Sequence, residues 1–264
     1  MLVFLKLGGS LITDKDRPYT ARFDVIKRTA EEINKAINED SDLKVVLGHG
    51  SGSFGHFAAM ESGFKEGAST KSQWLGFQRV WQAAHELNDI FIGEYNKSGL
   101  PVVSFPPSTS ISADNKKILE WNTFPIRTAL VNNLIPVVFG DTIFDLSLGG
   151  VILSTEELFL FLIDKLSPGR IILAGKEPGV WADFPEKKHL IPKITPENYV
   201  GVNKKIASSQ SIDVTGGMQK KVTLMLEAVS TNPNLSIEII TGEIPGNIYK
   251  SLKGVKTGTI IANK

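Results

Sequence analysis

The run Gly48-His49-Gly50-Ser51-Gly52-Ser53-Phe54-Gly55-His56 joins an apolar stretch, Leu43 to Leu47, to a segment of helical character beginning at Phe57. A glycine-rich turn between a strand and a helix lets backbone N–H groups converge on an anion, and the helix dipole adds partial positive charge at the same point. A second such turn, Gly8-Gly9-Ser10, follows the first apolar segment, with Lys6 before it and Lys15 after it. Two anion-binding turns and two lysines point to two phosphate-bearing ligands held side by side.

Lys6 sits inside an apolar strand, where an ammonium without a partner is costly. Either it reaches phosphates from the crevice at the strand's carboxyl end, or the strand is an edge and the lysine points at solvent. His56 falls in the first turn of the helix after Gly55, where an imidazole faces whatever anion the turn holds; a surface or core histidine is the plainer alternative. His49 either faces the same turn or packs, while His85 lies on a long amphipathic segment and His189 in an irregular one. Gly50 to Gly55 also matches G-x-G-x-x-G. It follows the second strand instead of the first, and no acidic strand end lies about 20 residues on, so a nicotinamide cofactor is disfavoured. No G-x-x-x-x-G-K-[ST] occurs, which sets P-loop chemistry aside.

Gly140-Asp141-Thr142 closes a later strand. A small residue followed by a carboxylate there can admit a ligand and orient a lysine or Mg²⁺, or it is an ordinary Gly-Asp turn. Asp213-Val214-Thr215-Gly216-Gly217-Met218 leads into a helix with Lys220 and Lys221 in its first turns. The helix dipole disfavours cations at that end unless an anion sits there, and the conflict points to bound nucleotide phosphate.

The elements that position these residues alternate. Strands are predicted at Leu2–Leu7, Leu43–Gly48, Val102–Phe105, Ile135–Phe139, Arg170–Ala174, Ser236–Thr241 and Thr257–Ala262, with a hairpin over Ile143–Leu153 around Gly149-Gly150. Helices are predicted over Phe23–Ile37, Phe54–Ser62, Lys71–Lys97, Pro125–Asn132, Glu156–Leu166 and Gly216–Val229. Such alternation argues for an α/β fold with a mostly parallel sheet covered on both faces. Glu177–Gln210 mixes charges with prolines and reads as the least regular part, a candidate flap. No linker is evident, and a soft division falls near Gly150.

Lys and Arg number 29 against 28 Asp and Glu, so a net charge of +1 gives no general attraction to nucleic acid or an anionic membrane. Anion binding must therefore be local. The absence of cysteine removes disulfides, thiolate metal sites, iron–sulfur clusters and thiol catalysis, and suits a reducing compartment. Met1–Leu5 is too short for a signal peptide and no apolar run reaches bilayer length, so a soluble cytoplasmic protein is expected.

Lys6-Leu7-Gly8-Gly9-Ser10, Gly140-Asp141, the 213–218 segment with Lys221, and Gly258-Thr259 together resemble the amino acid kinase family over nearly the whole chain. The pairing of Gly9-Ser10-Leu11-Ile12-Thr13-Asp14-Lys15 with Gly52-Ser53-Phe54-Gly55-His56 is similar to the branch of that family whose acceptor is isopentenyl phosphate; the branch acting on fosfomycin shares most of it. The resemblance implies a three-layer αβα sandwich around a central, mostly parallel sheet. It implies a single domain over 1–264, with approximate lobes 1–150 on the acceptor side and 151–264 on the ATP side. It implies ATP with Mg²⁺, a homodimer, no nucleic acid or membrane partner, and phosphorylation of isopentenyl phosphate in isoprenoid precursor synthesis. The alternative is a relative acting on a phosphonate or a carboxylate.

Carried onto this chain, Lys6 and Lys221 would hold the transferring group and the ATP phosphates, which Gly8, Gly9 and Ser10 would cradle. Gly50 and His56 would bind the acceptor phosphate with Gly140 nearby, Ser51 and Gly52 would lie between the two phosphates, and Gly217 would line the nucleotide site. Lys15 would stabilise transition-state charge. No metal ligand is assigned. Three departures stand out: Ala174-Gly175-Lys176-Glu177-Pro178-Gly179-Val180 lacks the usual acidic pair before Asp-Gly-Val, Ser154-Thr155-Glu156 stands where Ser-Gly-Asp is typical, and Ser51 replaces a glycine. Adenine and ribose contacts near 174–183 are therefore left unassigned. The acceptor's other end would be apolar, with Trp74, Phe77, Val80, Trp81 and Ala84 as candidates to meet it; for most of them ordinary core packing is the competing role.

Overall fold

A computed structural model of the chain describes residues 1–65, 67–208 and 217–264. The chain opens with β1 (Leu2–Leu7), α1 (Gly9–Ile12), α2 (Phe23–Asn38), β2 (Lys44–His49), α3 (Gly52–Ser62), α4 (Lys71–Lys97) and β3 (Val102–Ser104). A hairpin of β4 (Ile111–Asp114) and β5 (Lys117–Trp121) precedes α5 (Phe124–Val131), β6 (Ile135–Phe139), β7 (Asp141–Asp145), β8 (Gly149–Leu153) and α6 (Thr155–Leu166). Then come β9 (Arg170–Gly175), β10 (Val180–Trp181), β11 (Leu190–Ile191), β12 (Lys193–Ile194) and α7 (Tyr199–Ser208). The chain closes with α8 (Gly217–Thr231), β13 (Ser236–Thr241), α9 (Asn247–Leu252) and β14 (Thr259–Ala262).

Eight strands form the main sheet in the order β12-β14-β13-β9-β1-β2-β6-β3. Every pairing in it is parallel except β13 with β14. Parallel neighbours require crossovers, and the intervening helices supply them on both faces. Val3, Leu5 and Leu7 enter one apolar cluster with Ile26 of α2 and Leu87 of α4. Phe4 enters the other with Leu158 and Phe159 of α6. The two-residue period of a strand puts Lys6 on the same face as Phe4, toward α6. Lys6 is also interior to the sheet, flanked by β2 and β9, so the solvent-facing edge arrangement is excluded.

Local sequence sets the two helices that matter most. Thr70 and Gln73 form a capping box that starts α4, and Ser154 and Glu157 form another that starts α6 and fixes Glu156 in its first turn. Phe77, Val80 and Ala84 of α4 are core residues, so their packing role prevails.

Several segments differ from expectation. Residues 177–208 carry β10 paired with β11, the edge strand β12 and helix α7, in place of an irregular flap; 209 and 210 lie outside the described residues. The turn of the β7–β8 hairpin falls at 146–148, with Gly149 and Gly150 inside β8. The β4–β5 hairpin escaped notice because its tight turn is Asn115-Lys116, with φ of 48° and 65° but no glycine. Its missing support comes from Asp145, whose carboxylate accepts from the Asn115 and Lys116 N–H groups at 3.1 and 2.8 Å. Among the described residues no helix is long and apolar enough to cross a membrane.

His49 is a core residue. It stacks on Phe139 at 5.4 Å, lies 4.6 Å from Phe91, and its Nε2 is 3.3 Å from Asn88 Oδ1. Burial pushes its pKa down to about 4 against the opposing pull of the Asn88 and Gly50 oxygens. Between pH 6.5 and 4 the unfolded chain therefore binds a proton at this site that the native state refuses, and stability falls as pH falls through that window. The expected loss is on the order of 3 kcal/mol. Denaturant unfolding at pH 7 and pH 4 should show it, and His49→Gln should flatten that part of the pH dependence. An unchanged slope in the variant would contradict the assignment.

Candidate active site

Glycines line the carboxyl edge of the sheet. The Gly8 N–H donates to Ala174 O at 2.8 Å, Gly50 N–H to Leu7 O at 3.2 Å, Gly140 N–H to His49 O at 3.1 Å and Gly242 N–H to Gly175 O at 2.8 Å. Following the strand order β13-β9-β1-β2-β6, these glycines run from the Gly175–Gly242 side through Gly8 and Gly50 to Gly140. The row sits where open α/β sheets bind ligands.

The two turns singled out in the sequence touch. A Cβ on Gly9 would overlap the backbone nitrogen of Gly52, and a Cβ on Gly50 would come within 3.0 Å of the Gly9 nitrogen. Gly52 itself has φ +51°, which favours glycine. Only backbones without side chains can approach this closely, so the Gly8-Gly9-Ser10 and Gly50-Ser51-Gly52 turns border a single narrow gap. The Gly8 and Gly50 N–H groups are already committed to Ala174 O and Leu7 O, so the expected cradle does not include the Gly8 N–H. Ser51 is the residue before α3, and Gly9 and Ser10 open α1, so each turn ends in first-turn donors that no helical carbonyl can satisfy.

The lysines meet at a carboxylate that the sequence reading did not single out. Lys6 Nζ forms an ion pair with Glu156 Oε1, and Lys221 Nζ lies 4.0 Å from the same oxygen. Burial alone would raise the Glu156 pKa; the two ammonium groups overcome it and hold the carboxyl at about 2. Lys220 lies 3.8 Å from Glu157. The cationic start of α8 is thus faced by the acidic start of α6, so the conflict read at Lys220 and Lys221 is met at least in part by protein carboxylates. Gly217 is the first residue of α8; the Asp213-Val214-Thr215-Gly216 part of that motif lies outside the described residues.

Lys15 and His56 stand nearer solvent. Lys15 is exposed on the 14–20 excursion between Thr13 and Ala21, which bridge to each other. That excursion is tied to α3: Tyr19 OH donates to Glu61 at 2.7 Å, its ring meets Phe54 edge-on at 5.9 Å, and Thr20 N–H donates to Ser53 Oγ at 3.4 Å. Burial and the Glu61 contact push the Tyr19 hydroxyl up to about 12, so it remains a donor. His56 is an exposed residue of α3, four positions after its first, with its ring against Phe57.

Gly140-Asp141-Thr142 is not a plain turn. Asp141 begins β7 and is buried; its Oδ2 lies 3.2 Å from His85 Nε2 and accepts the Ser108 N–H at 3.1 Å. Trp81 Nε1 donates to Ser108 Oγ at 3.0 Å. His85 therefore has a defined place, at a buried polar network next to Gly140, which its position on an amphipathic helix did not reveal. Farther along α4, Trp74 stacks on Phe144 at 6.0 Å and Phe77 lies 5.0 Å from the same ring. His189 pairs with Asp183 at 2.7 Å in the β10–β11 region.

The profile of the amino acid kinase family matches residues 1–239. The chain is 32% identical over 270 residues to the isopentenyl phosphate kinase of Methanocaldococcus jannaschii, spanning 99% of this chain and 98% of that one. It is 33% identical over 275 residues to the isopentenyl phosphate kinase of Methanothermobacter thermautotrophicus, spanning 100% of both. A solved structure described as "X-ray structures of isopentenyl phosphate kinase" superposes with a TM-score of 0.79 at 29% identity, covering 99% of this chain and 100% of that one.

Replacing Glu156 by Gln would leave Lys6 buried without its counter-charge, at a cost of about 3–5 kcal/mol in stability near neutral pH. The sign with pH follows from the depressed native pKa: the contribution is complete above the ordinary value of 4.5 and is lost as pH falls toward about 2. Denaturant midpoints of wild type and Glu156→Gln should converge across that window. A gap that stays constant with pH would contradict the ion pair.

Proposed function

The chain belongs to the amino acid kinase family, and from that premise we propose that it transfers the γ-phosphoryl group of ATP to isopentenyl phosphate, giving isopentenyl diphosphate and ADP. The observation that carries the reading is the convergence of Lys6 and Lys221 on Glu156, at the end of the strand whose glycine turn packs against the second turn. It is supported by relatives of that activity matched over essentially the full length of the chain.

A phosphate acceptor needs no strong base, because the second pKa of a monoester is about 6. One of its oxygens attacks the γ-phosphorus; the bond from that phosphorus to the β–γ bridging oxygen breaks, and ADP leaves with the electron pair. The obstacle is repulsion between two anions brought within reacting distance. Fixed positive charge and oriented N–H groups offset it and stabilise the charge spread over the transferring group.

The order of glycines along the sheet supports a division of labour. Gly9 and Ser10, next to Gly8, cradle the ATP phosphates, joined by Lys6, Lys221, Ser51 and Gly217. Gly50, His56 and Gly140 take the acceptor phosphate, and Lys15 adds charge to the transition state. Residues 1–150 then serve mainly the acceptor and 151–264 mainly the nucleotide, with the first turn and Lys6 crossing that division. Glu156 acts through the two lysines and is a positioning residue. It is a carboxylate at the gap already engaged by Lys6 and Lys221, an arrangement that fits Mg²⁺ carried chiefly on nucleotide oxygens. An ion held there would neutralise charge on the phosphates.

The isopentenyl tail lies past Gly140, against the half-buried Trp74 and Trp81 and the exposed ring of Phe144. A homodimer is supported by exposed apolar side chains of α5, which packs on β6 beside the terminal strand β3: Val131 is 79% and Phe124 70% exposed.

ADP release from Mg²⁺ and ATP, measured with isopentenyl phosphate beside fosfomycin, UMP and N-acetylglutamate, tests the assignment. Isopentenyl phosphate should be turned over with the highest kcat/KM; preference for N-acetylglutamate would overturn it. His56→Ala should lower kcat/KM by about 10²–10³-fold. Because that side chain is exposed, Tm should hold to within about 0.5 kcal/mol of equivalent stability. Wild-type turnover in this variant would remove the histidine from the acceptor site.

A further inference from the structure

A hydroxyl that has no proton left for a ligand joins the two anion turns. Thr13 is fully buried at the end of α1. Its Oγ1 donates to Gly9 O at 2.7 Å and accepts the Ser53 N–H at 2.9 Å. One oxygen atom therefore spans from the Gly8-Gly9-Ser10 turn to the start of α3. Ser53 extends the chain, since its Oγ accepts from Thr20 N–H at the far side of the excursion that carries Lys15. The near side of that excursion is closed by the bridge between Thr13 and Ala21. The Thr13 side chain also occupies the space that a Cβ on Gly52 would need.

We propose that Thr13 is a positioning residue, whose buried hydroxyl sets the separation between the donor turn and the acceptor turn and holds the root of the Lys15 excursion to both. The proposal rests on the phosphoryl-transfer reading above. A hydroxyl carries one proton, and here that proton is committed to Gly9 O, so direct contact with the reacting phosphates is not its task. Its influence is on distance. Removing the hydroxyl also leaves the buried Ser53 N–H without an acceptor, which lowers stability; the effect that marks positioning is on rate, because a displacement of about 1 Å between reacting groups can cost roughly 10²-fold.

Thr13→Val keeps the branched shape and removes both hydrogen bonds; Thr13→Ser keeps both bonds and removes the methyl group. The valine variant should lose about 10- to 100-fold in kcat, while KM for ATP and for the acceptor stay within a few-fold of wild type. The serine variant should recover most of kcat. Thr13→Val lowers Tm under either role; a purely structural one would also raise both KM values, with no selective loss of kcat and no recovery of kcat by serine, and that result overturns the proposal, as does wild-type kcat in Thr13→Val. The kinetics are run with whichever acceptor in the panel the wild-type protein uses, so a wrong acceptor counts against the function and leaves the threonine to be judged separately. Amide exchange gives a readout that needs no turnover. Thr13→Val should deprotect the Ser53 amide without loosening the rest of α3, and unchanged protection there overturns the bridge whatever the substrate.

Discussion

A buried carboxylate facing two ammonium groups is the constraint around which the rest of the site is arranged. In its proposed role Lys6 has to be charged to attract phosphate, yet it projects from an interior strand of a sheet covered on both faces. Glu156 makes that tolerable: it holds Lys6 and stands within reach of Lys221. The carboxylate is delivered by the capping box of α6, which fixes the first turn of that helix at the carboxyl edge of the sheet. Without it, the desolvation of Lys6 would have no local compensation. With it, two cations are held near one point before any ligand arrives, which is the preorganisation that phosphoryl transfer requires.

The second constraint is steric. Gly9 and Gly52 face each other at a separation that leaves no room for a Cβ. The closeness of the two backbones is what turns two separate anion-binding turns into one gap, and Thr13 and Ser53 tie its sides together. On the proposed reading, strand order would arrange the ligands in sequence, from the Gly175–Gly242 side through Gly8 and Gly50 to Gly140 and the aromatic residues beyond it.

Much of this was legible in the amino-acid sequence. Lys6, the two glycine turns and the alternation of strands and helices are local signals, and α4 and α6 start at or next to the expected residues because their caps are local as well. Glu156 was noted only within a departure from the family pattern and given no role, because its meaning is tertiary: two acidic residues in the first turn of a helix suit the helix dipole anywhere. The requirement that a strand lysine have a partner was readable; the identity of that partner was not. Asp141 was weighed against a lysine, a metal ion or a simple turn, and its actual neighbours, His85 and Ser108, lie 56 and 33 residues away. The β4–β5 hairpin depends on Asp145 supporting a turn without glycine, which no short window contains. Lys15 and His56 were read from their places beside the glycine turns, with their separate roles taken from the resemblance, and their surroundings are built by the docking of the 14–20 excursion on α3.

The most direct test of the account is a crystal structure with isopentenyl phosphate and a non-hydrolysable ATP analogue bound together. The account predicts the γ-phosphate at the Gly8–Gly9 turn and the acceptor phosphate at Gly50 and His56, with Lys6 and Lys221 reaching the space between them while still oriented by Glu156. Phosphates bound at separate places, or a gap that neither lysine enters, would contradict it.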